Sequence, residues 1–131
     1  MSSPRLRVLV VDDSALQQRY LQEVLGAADF EFLTASDGRE GIALAMQALP
    51  DVILMDIEMP VLDGLSAARE IREADATCLT PIIMVTSRGE AEFMESAFVG
   101  GCNDYITKPV HQDELRAKIA ALTGWNPDAG A

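Results

Sequence analysis

Four short apolar runs in this chain each end in a group that can do chemistry. Leu6–Val11 delivers the adjacent acids Asp12 and Asp13, Val52–Met55 delivers Asp56, Ile82–Val85 delivers Thr86, and Tyr105–Thr107 delivers Lys108. Carboxylates crowded together repel by at least ~1 kcal/mol per pair at 4 Å in water, and by more when partly buried. A cation must offset that. Lys108 supplies one positive charge. A hard divalent ion is the natural second, because Mg²⁺ takes oxygen ligands through one or two carboxylates and keeps several waters. A donor set of oxygens without His or Cys disfavours zinc and copper. A carboxylate beside Mg²⁺ and an ammonium is placed to attack phosphorus, with the Thr86 hydroxyl holding another phosphate oxygen. Phosphoryl transfer needs mainly such positioning and charge stabilisation, and aspartyl phosphates are established covalent intermediates.

These groups are far apart in the chain, so the elements between them must bring them together. Apolar runs alternate with segments of helical period. Ser14–Leu25 sets Leu16, Tyr20, Leu21, Val24 and Leu25 at helical spacing and closes at Gly26. Phe30–Ala35 is a weaker strand, Asp37-Gly38 signals a turn, and Gly41–Leu49 carries Ile42, Ala45, Met46 and Leu49 on one face before Pro50. Gly64–Ala74 turns Leu65, Ala68 and Ile71 inward. Glu90–Val99 is helical and stops at Gly100-Gly101, and Val110–Leu122 has Leu115, Ile119 and Leu122 on its apolar side. Five β/α units with near-continuous apolar strands predict a parallel sheet buried on both faces, with helices on each side and right-handed crossovers. In an open sheet of this kind ligands bind beyond the carboxyl ends of the strands, where strand order reverses. The acids, Thr86 and Lys108 therefore meet at one rim, past the dry part of each strand.

The 131 residues make one domain, and 49% apolar content supplies a core without staples. The domain is expected over 1–123, with 124–131 a small, polar tail or linker start that holds Trp125. A formal net charge of -11 argues against direct contact with nucleic acid, which needs Lys and Arg. Cys78 and Cys102 lack metal-like spacing and read as reduced thiols. No apolar run approaches the ~20 residues of a membrane span, and the N-terminus has no secretory pattern. A soluble cytoplasmic protein is expected.

Asp12-Asp13, the segment DVILMDIEMPVLDG (51 to 64), MVTS (84 to 87) and DYITKP (104 to 109) resemble, in order and spacing over residues 6 to 122, the CheY-like receiver domain of two-component response regulators. The resemblance implies a doubly wound, flavodoxin-like (βα)5 three-layer sandwich with a five-stranded parallel sheet in the order 2-1-3-4-5. It makes Asp56 the phosphoacceptor, charged from a phosphohistidine on a sensor histidine kinase or a histidine phosphotransfer protein. Asp13 ligates Mg²⁺ directly (Mn²⁺ being a substitute), Asp12 holds it largely through water, and Asp56 and the Glu58 backbone carbonyl add ligands. Lys108 pairs with acceptor and phosphate oxygens, Thr86 moves onto the phosphate, and Tyr105 is the switch aromatic that follows it. The Lys108-Pro109 bond is expected to be cis. Such a domain is a signalling switch, not a conventional enzyme: it catalyses its own phosphorylation and slow dephosphorylation. Its output lies on the face of the fourth helix, fifth strand and fifth helix, toward a downstream protein, a linked output domain or a second copy.

Plainer readings stand beside these. Asp13 followed by Ser14 also suits a helix cap, Asp63-Gly64 a turn and helix start, and Tyr105 a half-buried aromatic. His111 reads as solvated, Cys102 as a buried small residue, and most methionines as packing. Phe93 and Met94 give the fourth helix more apolar residues than one core stripe needs, which makes them a candidate partner surface or simply part of a tight core. Glu58 and Arg88, each two residues past a site residue, depart from the commonest family choices; as an opposite-charge pair they are expected to slow dephosphorylation. Two rival functions on related folds fit less well. A flavin mononucleotide carrier would not put two acids after its first strand, and a haloacid-dehalogenase-type phosphatase expects Asp where Glu58 stands. A receiver cut from a longer regulator with an enzymatic or DNA-binding output domain stays open.

Overall fold

The computed structural model describes residues 5–87 and 101–126. Within them the chain runs β1 (Leu6–Val11), α1 (Ala15–Leu25), β2 (Phe30–Ala35), α2 (Gly38–Ala48), β3 (Val52–Asp56), α3 (Gly64–Glu73), β4 (Ile82–Thr86), β5 (Asp104–Thr107) and a C-terminal helix (Gln112–Thr123). The predicted helix at 90–99, with Phe93 and Met94, and Arg88 lie outside the described residues.

All strand pairs are parallel, in the order β2-β1-β3-β4-β5. The fold is thus the flavodoxin-like α/β sandwich expected. The order reverses at β1, which sits between β2 and β3. Register places Val11 beside Ala35 and Met55, Asp56 beside Val85, and Thr86 beside Thr107. The carboxyl ends of β1, β3, β4 and β5 therefore come out in step along one edge.

The central strands β3 and β4 are buried along their whole length because both faces are covered, yet the period of two survives in the packing. Leu9, Val11, Ile53, Met55, Ile82 and Met84 pack with Ala45 of α2 and Ala67, Ala68 and Ile71 of α3. Val8, Val10, Val52, Leu54, Ile83, Val85 and Ile106 pack on the other face with Leu21 and Leu25 of α1 and with Leu115 and Ile119 of the C-terminal helix. Each large aliphatic side chain so buried stabilises the fold by about 1.5–3 kcal/mol.

Three helices begin on side-chain caps. Ser14 Oγ accepts from the Gln17 amide at 3.2 Å, Asp37 Oδ1 from Glu40 at 2.8 Å, and Asp63 Oδ1 from Ser66 at 2.9 Å. Each cap is worth ~1 kcal/mol. The Asp37 cap starts α2 at Gly38, three residues before the expected Gly41. Asp37 closes a helix start there, not a free turn. Helix ends also overhang the sheet, which overturns part of the helical-period reading. Leu16 is 78% exposed in the first turn of α1, past the carboxyl edge of β1, and Met46 and Leu49 are 48% and 55% exposed at the far end of α2. Tyr20 keeps its ring partly exposed and donates its hydroxyl to the Val110 carbonyl at 2.8 Å.

Packing continues through Trp125, two residues past the domain end expected at 123. Gly124 closes the last helix at φ 78°, a left-handed conformation that glycine adopts without strain, and its amide donates to Ala120 O at 3.0 Å. Trp125 then lies 4.8 Å from the Phe30 ring, with the Arg116 guanidinium 5.4 Å from its centroid. Arg116 also pairs with Asp29 at 3.3 Å.

Candidate functional site

The strand ends deliver their acids to one place. Asp12 follows β1 and is buried, Asp13 is exposed beside it, and Asp56, last in β3, is 7% exposed. One oxygen from each of the three lies within 4.8 Å of the others. Lys108, on the turn after β5, brings its Nζ to 3.4 Å from Asp56 Oδ1. Its backbone amide donates to the Thr86 carbonyl at 2.7 Å, and the Lys108–Pro109 peptide is cis. Two residues separated by 52 positions thus meet because parallel register brings their strand ends to one edge.

Asp12 is the most constrained of the acids. Its Oδ1 accepts from the Ser14 amide at 2.9 Å, while its Oδ2 is buried with no hydrogen-bond partner among the described residues. Burial pushes the Asp12 carboxyl above its ordinary pKa; the Ser14 amide and the Lys108 charge pull it down, and neighbouring Asp13 pushes it up. An ionised Asp12 therefore gains from a nearby cation. The donor atoms are all oxygens, one is buried and unpartnered, and Asp13 faces solvent from which an ion can keep its waters. This set fits a hard divalent ion such as Mg²⁺.

Thr86 is fully buried and its Oγ1 also lacks a hydrogen-bond partner among the described residues. An unsatisfied buried hydroxyl costs about 1–3 kcal/mol, and this one stands at the strand end whose carbonyl accepts from the Lys108 amide. Tyr105 is half-buried on β5, against the α2–α3 side of the core. Glu58 is exposed on the loop between β3 and α3. His111 is exposed at the helix start with no side-chain cap bond, and Cys102 is buried.

Loop geometry fixes the end of β3. The Gly64 amide donates to the Ile57 carbonyl at 2.7 Å, and a Cβ on residue 64 would stand 2.0 Å from the Asp56 carbonyl oxygen. Only glycine lets α3 start this close to β3. Burial raises the pKa of Asp63, but the Ser66 amide and hydroxyl outweigh it and hold this capping carboxyl below its ordinary value. A cleft of about 470 Å³ opens beside the cluster, lined by Gln17, Tyr20, Lys108, Pro109 and Val110.

One contact escaped the sequence reading. Gln18 Nε2 donates to the Asp12 carbonyl at 2.7 Å and to the Ala35 carbonyl at 3.1 Å. The available signal was an amide about a turn and a half behind the paired acids, on the helix that follows them.

Residues 8–120 match the family described as the response regulator receiver domain. PilH of Pseudomonas aeruginosa is 38% identical over 116 residues, covering 88% of this chain and 96% of that protein. The transcriptional regulatory protein ResD of Bacillus subtilis is 40% identical over 116 residues, but there the chain spans only 47% of the relative. Among solved structures, the receiver domain of the P. aeruginosa sensor histidine kinase PA1611, with a magnesium ion coordinated in its active-site cleft, superposes with a TM-score of 0.84 at 31% identity, over 93% of this chain and 100% of that one. With a family match over most of its length and an acid cluster at the switch point of the sheet, the chain belongs to the response regulator receiver domain family of two-component signalling.

Proposed function

We propose that Asp56 is the phosphoacceptor of this receiver and takes its phosphoryl group from a phosphohistidine on a sensor histidine kinase or a histidine phosphotransfer protein. The observation that carries this is the convergence of three carboxylates within 4.8 Å, with Lys108 on the oxygen of Asp56. Asp13, Asp12 and the Glu58 carbonyl would hold Mg²⁺, which when bound offsets the charge of the carboxylates and of the incoming phosphoryl oxygens. An Asp56 oxygen forms the new bond to phosphorus as the phosphorus–nitrogen bond to imidazole breaks, and the imidazole takes up a proton on leaving. Lys108 pairs with the oxygens on both sides of that bond. The Thr86 hydroxyl, without a hydrogen-bond partner among the described residues, donates to a phosphoryl oxygen. Phosphorylation then selects the conformation in which Thr86 and Lys108 both reach the group, and Tyr105 follows.

In this reading the output surface is the fourth helix, fifth strand and last helix, where Phe93 and Met94 meet a downstream protein, a second copy or a linked output domain. Glu58 and Arg88 flank the phosphoryl group and slow its hydrolysis. A linked output domain is favoured by the relatives that are twice as long, ResD among them; a stand-alone switch is favoured by the near-complete match to PilH. None of the described helices is long and apolar enough to cross a membrane, which suits a cytoplasmic setting. The test is incubation with acetyl phosphate and Mg²⁺, read by intact mass. Gain of one phosphoryl group is expected, lost with a chelator and with Asp56→Ala. Persistent labelling of Asp56→Ala would remove the assignment.

A further inference from the structure

We propose that Gln18 is a positioning residue for the divalent-ion site; this rests on the ion-site reading above. Every polar group of Asp12 except Oδ2 is committed. Its amide donates to the Ala35 carbonyl at 3.0 Å, its Oδ1 accepts from the Ser14 amide at 2.9 Å, and its carbonyl accepts from Gln18 Nε2 at 2.7 Å. The same Gln18 nitrogen donates to Ala35 O at 3.1 Å, so both of its N–H groups are used. One carboxamide on α1 thereby ties together the carboxyl ends of β1 and β2.

The Asp12 carbonyl and the Asp13 amide belong to one planar peptide unit. Holding the carbonyl fixes the plane, and with it the direction in which the Asp13 Cα and its exposed carboxylate leave the strand. Asp12 and Asp13 are two of the three acids whose oxygens converge. Gln18 itself is held by the helix: its amide donates to Ser14 O at 3.0 Å, one turn back at the cap. The carboxamide never touches the ion. It sets the separation and angle between two carboxylates before the ion arrives, which matters most for a small ion that demands near-octahedral geometry and least for a larger, more tolerant one.

The test is Gln18→Met, which keeps the length of the side chain and removes both donors. Mg²⁺ and Ca²⁺ affinities are measured by titration calorimetry on the whole chain, with thermal melts of the ion-free protein alongside. Mg²⁺ affinity is expected to fall about tenfold, Ca²⁺ affinity by less than about twofold, with the ion-free melt within a few degrees of wild type. Unchanged Mg²⁺ affinity overturns the proposal, and so does an equal loss for both ions, because a general loosening carries no selectivity. If Gln18→Met proves too unstable to titrate, Gln18→Asn, which retracts the same amide by one methylene, is held to the same expectation and the same refutation. Failure of the wild-type chain to bind Mg²⁺ would overturn the ion-site reading instead.

Discussion

Gly64→Ala measures how tightly α3 is locked to β3. The added Cβ would lie 2.0 Å from the Asp56 carbonyl oxygen, 2.9 Å from its carbon and 3.0 Å from Met84 Cε. Non-bonded atoms settle at about 3.5 Å, so helix and strand have to separate by roughly 1.5 Å. No rotamer relieves this, since the two nearest blocking atoms are backbone. The Gly64 amide bond to Ile57 O, at 2.7 Å, lies across the same gap and would stretch with it. Overpacking of this kind costs about 1–3 kcal/mol. The better helix propensity of alanine returns under ~1 kcal/mol. A net loss of about 1–2 kcal/mol is expected, or a melting temperature lower by about 3–10 °C. Gly26→Ala is the comparison for backbone strain without contact: nothing lies within 4 Å of its Cβ, and only the glycine-favouring backbone at φ 82° and ψ 153° resists, for about 1–3 kcal/mol with labelling unchanged. Urea denaturation followed by circular dichroism reads both. Because the strain falls on Asp56 itself, acetyl phosphate labelling of Gly64→Ala should also slow. Wild-type stability and labelling in Gly64→Ala would refute the close contact.

Further expectations follow from single residues. Val61 is 78% exposed at φ 70°, with the Leu62 amide donating to Pro60 O at 2.8 Å around it, so a β-branched residue sits in a strained left-handed turn. Val61→Gly should stabilise by ~1 kcal/mol in urea, and a loss would contradict the strain. Thr86→Val keeps the shape and removes a buried hydroxyl that has no partner among the described residues; stability should hold or rise by ~1 kcal/mol, and a clear loss would mean that the hydroxyl is bonded. Burial, with Asp104 adding to it, pushes the Cys102 thiol up to about 11. Its folded pKa is raised above the unfolded ~8.5, so its contribution is whole below pH ~8.5 and is lost as pH rises towards 11, by about 3 kcal/mol in the limit. Cys102→Ala should show a shallower alkaline loss of stability than wild type, and identical slopes would dismiss the shift. Mg²⁺ at about a hundred times its Kd should add ~2.7 kcal/mol, and Asp13→Asn should remove that gain; an undiminished gain in the variant would take Asp13 out of the site.

The parts of the fold visible in the sequence are those whose physics is local. Four apolar runs ending in Asp, Thr or Lys needed only the geometry of a parallel sheet to predict a common rim. Asp12, Asp13, Asp56 and Lys108 meet there because register, not sequence distance, decides what lies together. Helix ends were harder to read. Leu16, Met46 and Leu49 fit the apolar period, yet they overhang the sheet, and periodicity says nothing of where the surface beneath a helix stops. Side-chain clamps across long separations were invisible as well. Arg72 donates to Gly101 O at 3.0 Å, Cys78 O at 2.5 Å and Asn103 Oδ1 at 2.8 Å, binding the approaches to β4 and β5. Gln18 does the same for β1 and β2. Both are ordinary helix-surface residues by type, and only the folded backbone supplies their acceptors.

Trp125 is the only tryptophan in the chain, and it leans on Phe30, the first residue of β2. That is the amino-terminal margin of the sheet, a full strand length from the acids. Its emission is therefore blind to local quenching at the rim. Any change in that emission when the rim is charged would have to be transmitted through the body of the domain, making this indole a built-in gauge of long-range response that needs no added label.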